Sequence, residues 1–156
     1  MDHSRRTTLQ VGTGAGLYAA LVAVGLLKPG SASAQAFDRA AFQSKGIADT
    51  LKALGAASAA ESQDLVITAA DIAENGAVVP VAVRSKVPKT DMIALLVDKN
   101  PNALAGAYDL LDGAEPEIGM RIKMGQSSDV VALARADGKY YMTRKEIKVT
   151  LGGCGG

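Results

Sequence analysis

The spacing of apolar residues changes character partway along the chain. From Phe37 to Leu54 it is helical, with Ile47, Leu51 and Leu54 recurring at i, i+4 and i+7 and Gly55 supplying a stop. Gly46 interrupts an early turn of that predicted helix, and Ala56 to Asp64 reads as a small, polar connector. After it the period becomes two. Leu65 to Thr68 is a short apolar run, and Val79, Val81 and Val83 alternate with Pro80, Ala82 and Arg84. Asn75-Gly76 between these runs is a turn signal. Pro80 has no N–H to give a ladder, which predicts an edge strand or a bulge there. Met92 to Val97 is continuously apolar and suits a strand in the middle of a sandwich, and Asn100-Pro101-Asn102 punctuates the chain after it.

Ile118, Met120, Ile122 and Met124 then alternate with Gly119, Arg121, Lys123 and Gly125, the pattern of a half-buried strand. Val130 to Arg135, Asp137-Gly138 and Tyr140 to Thr143 read as a hairpin. A last strand places Ile147, Val149 and Leu151 on one face and Glu146, Lys148 and Thr150 on the other. Six or seven such strands predict a mainly β domain over residues 35–151, an antiparallel sandwich with the helix packed at one end. No internal repeat or low-complexity block is present.

Residues 1–34 read as an address. Arg5-Arg6, within Ser4-Arg5-Arg6-Thr7-Thr8-Leu9, has the form of a twin-arginine export signal, although Thr8 stands where that pattern usually has phenylalanine. A weakly apolar stretch from Val11 to Leu27 follows, then Ala32-Ser33-Ala34, a small-residue cleavage site that predicts cutting after Ala34, with Ala36 as second choice. The competing reading, a membrane anchor, has a stretch at the short end for a span and interrupted by four glycines. The expected destination is the periplasm.

Removal of residues 1–34 leaves 14 basic and 15 acidic residues, a net charge of −1, so nothing points to a polyanion partner. The only histidine, His3, goes with the signal, and one cysteine, Cys154, remains. That inventory excludes a Cys–His catalytic pair, a histidine or multi-cysteine metal site and an internal disulfide. No cofactor is expected. A single cysteine bound for an oxidising compartment calls for a functional account.

The setting of that cysteine supplies one. After Leu151 comes Gly152-Gly153-Cys154-Gly155-Gly156. Glycine is the costliest residue to order, so four around one thiol suit a flexible tether better than a packed structure. Three residues beyond the strand give a reach of roughly 10 Å. Competing readings are a frayed terminus, a buried inert cysteine and a lipid-attachment motif, the last of which works only at the end of an N-terminal signal. No base or second thiol accompanies Cys154 in the sequence, and a free thiol is mostly protonated at neutral pH. The segment therefore suits cargo rather than catalysis, with activation coming from whichever protein receives it.

These residues resemble the SoxY family, the sulfur-carrying subunits of the SoxYZ complex of bacterial thiosulfate oxidation. Gly152-Gly153-Cys154-Gly155-Gly156 matches the family's carrier motif completely. Ala73-Glu74-Asn75-Gly76 with Val79-Pro80-Val81 is similar to its central signature, and Lys99-Asn100-Pro101 and Ser128-Asp129-Val130 match further segments. Ala103 departs from a proline frequent in the family, and Tyr108 from a phenylalanine. The resemblance implies an immunoglobulin-like sandwich paired with SoxZ. It implies that Cys154 is loaded with thiosulfate sulfur by the haem-containing SoxAX, that SoxB hydrolyses the terminal sulfonate, and that a sulfur dehydrogenase, where present, oxidises the remaining sulfane sulfur. On this reading the chain is a substrate-bearing subunit, not an enzyme. Two other classes stay open: a ubiquitin-like carrier that forms a thiocarboxylate on Gly156, against which the export signal argues, and an immunoglobulin-like module linked to its partner by a disulfide through Cys154.

Overall fold

The computed structural model describes residues 39–150. The expected export signal with Arg5 and Arg6, and the segment Gly152, Gly153, Cys154, Gly155 and Gly156, lie outside the described residues.

Two short helices come first, α1 (Arg39–Gln43) and α2 (Gly46–Ala53), followed by nine strands: β1 (Ala60–Glu61), β2 (Leu65–Thr68), β3 (Ile72–Ala73), β4 (Val79–Ser85), β5 (Thr90–Val97), β6 (Leu104–Asp109), β7 (Glu117–Ile122), β8 (Ser128–Ala136) and β9 (Lys139–Val149). The larger sheet runs β1-β9-β8-β5-β6, with β3 also pairing β9, and the smaller runs β2-β4-β7. Every pairing is antiparallel except those of the two-residue strands β1 and β3, which run parallel to β9. The result is an open two-sheet, immunoglobulin-like sandwich.

The larger sheet is buried on both faces. Toward the smaller sheet, Ile93, Leu95, Val97, Val130, Ala132, Ala134 and Ile147 meet Leu65, Val79, Val81, Val83 and Ile122. On its other face Met92, Ala94, Leu96, Val131 and Leu133 meet Ala41 and Leu51 of the helices. The continuous apolar run of β5 follows from this: a strand covered on both sides has no polar face. The helices thus cover a sheet face, which corrects the expectation of a helix at one end.

The expected single helix is two. Gly46 takes φ +74°, outside the helical region, and the chain is held at the break from two directions. Ser44 donates its hydroxyl to the Ala40 carbonyl at 2.7 Å, and the buried Ala103 donates its N–H to the Ser44 carbonyl at 3.3 Å. A proline at position 103 has no such hydrogen to give. At the far end Gly55 takes φ +73° and Ala56 N–H donates to the Leu51 carbonyl at 2.7 Å, closing α2.

Strand β6 lies in a stretch for which no strand was expected, because Leu-Ala-Gly-Ala carries little β propensity. The hairpin at Asp137-Gly138 is as expected, with φ values of +52° and +73°. The two strands anticipated after it are one continuous strand of 11 residues, β9. Pro80 lies in β4, the middle strand of the smaller sheet, but its β2 ladder ends at Thr68↔Ala82, so on that side Pro80 is at a local edge.

Candidate functional site

The chemistry expected at Cys154 must be presented by what precedes it, the end of β9. The β8–β9 ladder runs from Ala136↔Lys139 to Ser128↔Ile147 and stops there. Three more described residues, Lys148, Val149 and Thr150, continue toward the glycine–cysteine segment without a β8 partner in that register.

They are held by other means. Lys148 N–H donates to the Asp71 carbonyl at 2.9 Å, and Thr150 N–H to the Ala73 carbonyl at 3.1 Å, on either side of the β3 pairing Ile72↔Lys148 and Ala73↔Val149. Val149 N–H points the other way and donates to the Ser127 hydroxyl at 2.9 Å. Ser127 returns a long bond, its hydroxyl donating to the Val149 carbonyl at 3.5 Å. The serine side chain stands in for the next residue of the β8 ladder. The Thr150 hydroxyl donates to the carbonyls of Ala73 and Glu74 at 3.5 and 3.4 Å.

The turn after β3 completes the seat. Asn75 Oδ1 accepts from Ala77 N–H at 2.9 Å, closing the local turn the sequence signals. Gly76 accepts from Met124 N–H at 2.7 Å and lies so close to β9 that a Cβ on it would fall 2.8 Å from Val149 Cγ1 and 2.3 Å from the Met124 carbonyl oxygen. The position therefore requires glycine for lack of space.

One charged pair fastens the β2–β3 connection onto β9. Lys145 Nζ sits 2.9 Å from Asp71 Oδ1 and donates to the Ala69 carbonyl at 2.7 Å. The hydrogen bond from Lys145, and then its charge, hold the exposed Asp71 carboxyl below the usual carboxylate range. Lys145 thus serves the seat; two residues from buried Ile147, it shares that residue's face of β9, the face toward the smaller sheet. Nothing in the sequence marks Ser127, Asp71 and Lys145 as a set. The one legible trace is the Ala73-Glu74-Asn75-Gly76 signature, read as a turn.

A cleft among the described residues lies elsewhere, between Ser85–Asp91 and Leu110–Pro116, at the end of the sandwich where Lys89 faces Asp137 across 3.9 Å. That is the far end of β9 from Thr150, and the cleft's Ser85 and Thr90 hydroxyls bond to each other at 2.8 Å. Among the described residues no group of three or more His, Cys, Asp or Glu side chains is placed to hold a metal ion. No described helix is long and apolar enough to cross a membrane.

Comparison with known proteins places this architecture. No curated protein matches the sequence. Among solved structures, the sulfur carrier protein SoxY from Chlorobium limicola f thiosulfatophilum is 33% identical, with a TM-score of 0.59, over 66% of this chain and 96% of that one. An engineered protein matches at 18% identity with a TM-score of 0.37 over 56% of this chain and 20% of its own, too distant to carry an argument. Residues 51–154 match the family described as sulfur oxidation protein SoxY, a span that takes in every strand of the sandwich and reaches Cys154. On that match the chain belongs to the SoxY family.

Proposed function

We propose that this chain is a sulfur carrier of the Sox thiosulfate-oxidation system, holding sulfur intermediates covalently on Cys154. The observation that carries the reading is the span of the family match: it covers the sandwich and extends to residue 154, where the only cysteine stands between two glycine pairs. The similar structure from Chlorobium is itself described as a sulfur carrier. The thiol supplies the nucleophile, and the glycines Gly152, Gly153, Gly155 and Gly156 keep side-chain bulk away from it, so the loaded sulfur is able to enter narrow channels. Loading and unloading belong to partners: SoxAX joins thiosulfate sulfur to the thiol, SoxB removes the sulfonate, and a sulfur dehydrogenase, where present, oxidises what remains. The loading step is oxidative, the thiol proton leaving and the haem-containing SoxAX taking up two electrons as the S–S bond forms, and SoxB's step is hydrolysis, in which water releases sulfate and leaves a persulfide on Cys154. SoxZ is the permanent partner, and the compartment is the periplasm, reached through Arg5 and Arg6 by the twin-arginine route.

Intact mass and C-terminal peptide mass of protein from cells oxidising thiosulfate test this. Thiosulfonate or persulfide adducts on Cys154 are expected under non-reducing handling. Bare thiol or simple disulfide alone would overturn the reading. Cys154→Ser should fold and pair with SoxZ normally while abolishing thiosulfate oxidation in a reconstituted system.

A further inference from the structure

Three features of the described residues are not absorbed by the carrier reading: the two-residue strand β3, the Ala73–Gly76 signature after it, and the Ser127 side chain. All three converge on Lys148, Val149 and Thr150, the last described residues before the glycine–cysteine segment. We propose that β3, the Gly76 turn and Ser127 together form a bearing that fixes where the carrier segment begins, and that Ser127 and Gly76 are positioning residues for delivery of the cargo. The proposal rests on the carrier reading for its functional half and on geometry alone for the rest.

The geometry is specific. Ordinary ladder pairing with β8 ends at Ile147. Without the bearing, the chain held by the sandwich would end at Ile147 rather than at Thr150. Three added residues lengthen the reach by roughly 10 Å. They also enlarge the volume the cysteine samples and dilute it at a partner's channel mouth. The bearing consists of alternating holds on one short strand: Lys148 and Thr150 N–H to the β3 side at 2.9 and 3.1 Å, and Val149 N–H to Ser127 at 2.9 Å. Gly76 closes it from the sandwich side, with no room for a Cβ against Val149. Lys145 holds β3 in place through Asp71 and the Ala69 carbonyl.

Amide hydrogen exchange of the full mature chain paired with SoxZ tests it. Ser127→Ala should speed exchange at Val149 about fivefold to tenfold, the effect of one lost hydrogen bond. Lys148 and Thr150 should follow, while β8–β9 amides from Lys139 to Ile147 change much less. Ser127→Thr, which keeps a hydroxyl, should restore protection. Gly76→Ala should loosen the same three amides from the opposite side. In the reconstituted system Ser127→Ala should lower kcat/KM for cargo processing severalfold while a small thiol reagent labels Cys154 at the unaltered rate. The bearing is refuted if exchange at residues 148–150 is unchanged in both variants, or rises only together with all of β9. Loosened amides with unaltered kcat/KM refute the role in delivery. Absence of sulfur on Cys154 in the unsubstituted chain would refute the carrier reading itself, a result recognisable before any variant is made and independent of the exchange data.

Discussion

Asp71 and Ala103 show how single residues set local order. Asp71 is fully exposed, yet its carboxyl is held below its ordinary value by the hydrogen bond and charge of Lys145. A depressed folded-state value means that the stabilisation is present above the unfolded value, about 3.9, and is lost as pH falls through the lowered one. The Lys145–Asp71 tie therefore persists at mildly acid pH and lets go only below the ordinary carboxylate range. An NMR titration of the Asp71 carboxyl should show a midpoint that moves upward in Lys145→Ala; an unmoved midpoint would contradict the assignment. Ala103 makes the other case. Its N–H reaches the Ser44 carbonyl at the break between the helices. Ala103→Pro should cost about 1 kcal/mol in denaturant unfolding, the net worth of one such hydrogen bond.

At the scale of elements, strands covered on one face were legible and those covered on two were half legible. Alternation in Val79–Val83 and Ile118–Ile122 identified β4 and β7 because their outer faces meet water. The run Met92–Val97 announced burial but not what covers its second face, since an apolar residue carries no mark of its neighbour. Strand β6 stayed hidden because Ala105, Gly106 and Ala107 earn their place by fitting, with Gly106 backing onto Met120 Cε and Tyr108, and not by intrinsic preference. The helix break was foreshadowed by Gly46, while the holds that place it come from Ala103, far along the chain. Likewise the glycine–cysteine segment is plain in the composition, but its seat joins backbone carbonyls of Asp71 and Ala73 to a hydroxyl at Ser127, and backbone carbonyls leave no trace in residue type. The two-sided burial has a measurable consequence. Leu133→Ala, on the helix side of β8 and fully buried, should cost about 2–5 kcal/mol. Val66→Thr, on the exposed face of β2, should change stability by no more than about 0.5 kcal/mol by denaturant titration.

Among the described residues, the two sheets leave β2, β6 and β7 as edges, besides the two-residue strands β1 and β3, and an edge strand presents one side of its backbone for pairing. A partner of similar build is a natural cover, which accords with the proposed pairing with SoxZ. Co-expression should yield a discrete heterodimer by size-exclusion chromatography; a chain that stays monomeric beside SoxZ would count against it. Replacing Arg5 and Arg6 with lysine should leave the precursor in the cytoplasm, as read by fractionation, and normal periplasmic accumulation would sink the export proposal.

The length of β9 bears on what happens when a loaded segment is pulled. Hydrogen bonds of an antiparallel ladder lie across the strand axis. Tension entering at Thr150 and running along β9 is therefore shear, shared by nine register pairs with β8 at once instead of opening them one by one. A hairpin tugged apart from its open end would unzip; this one is gripped along its whole length, so an enzyme that releases the segment slowly strains the seat at residues 148–150 long before the sandwich yields. Force spectroscopy with the handle beyond Thr150 should record a small early event from the seat, followed by a single high rupture for the domain.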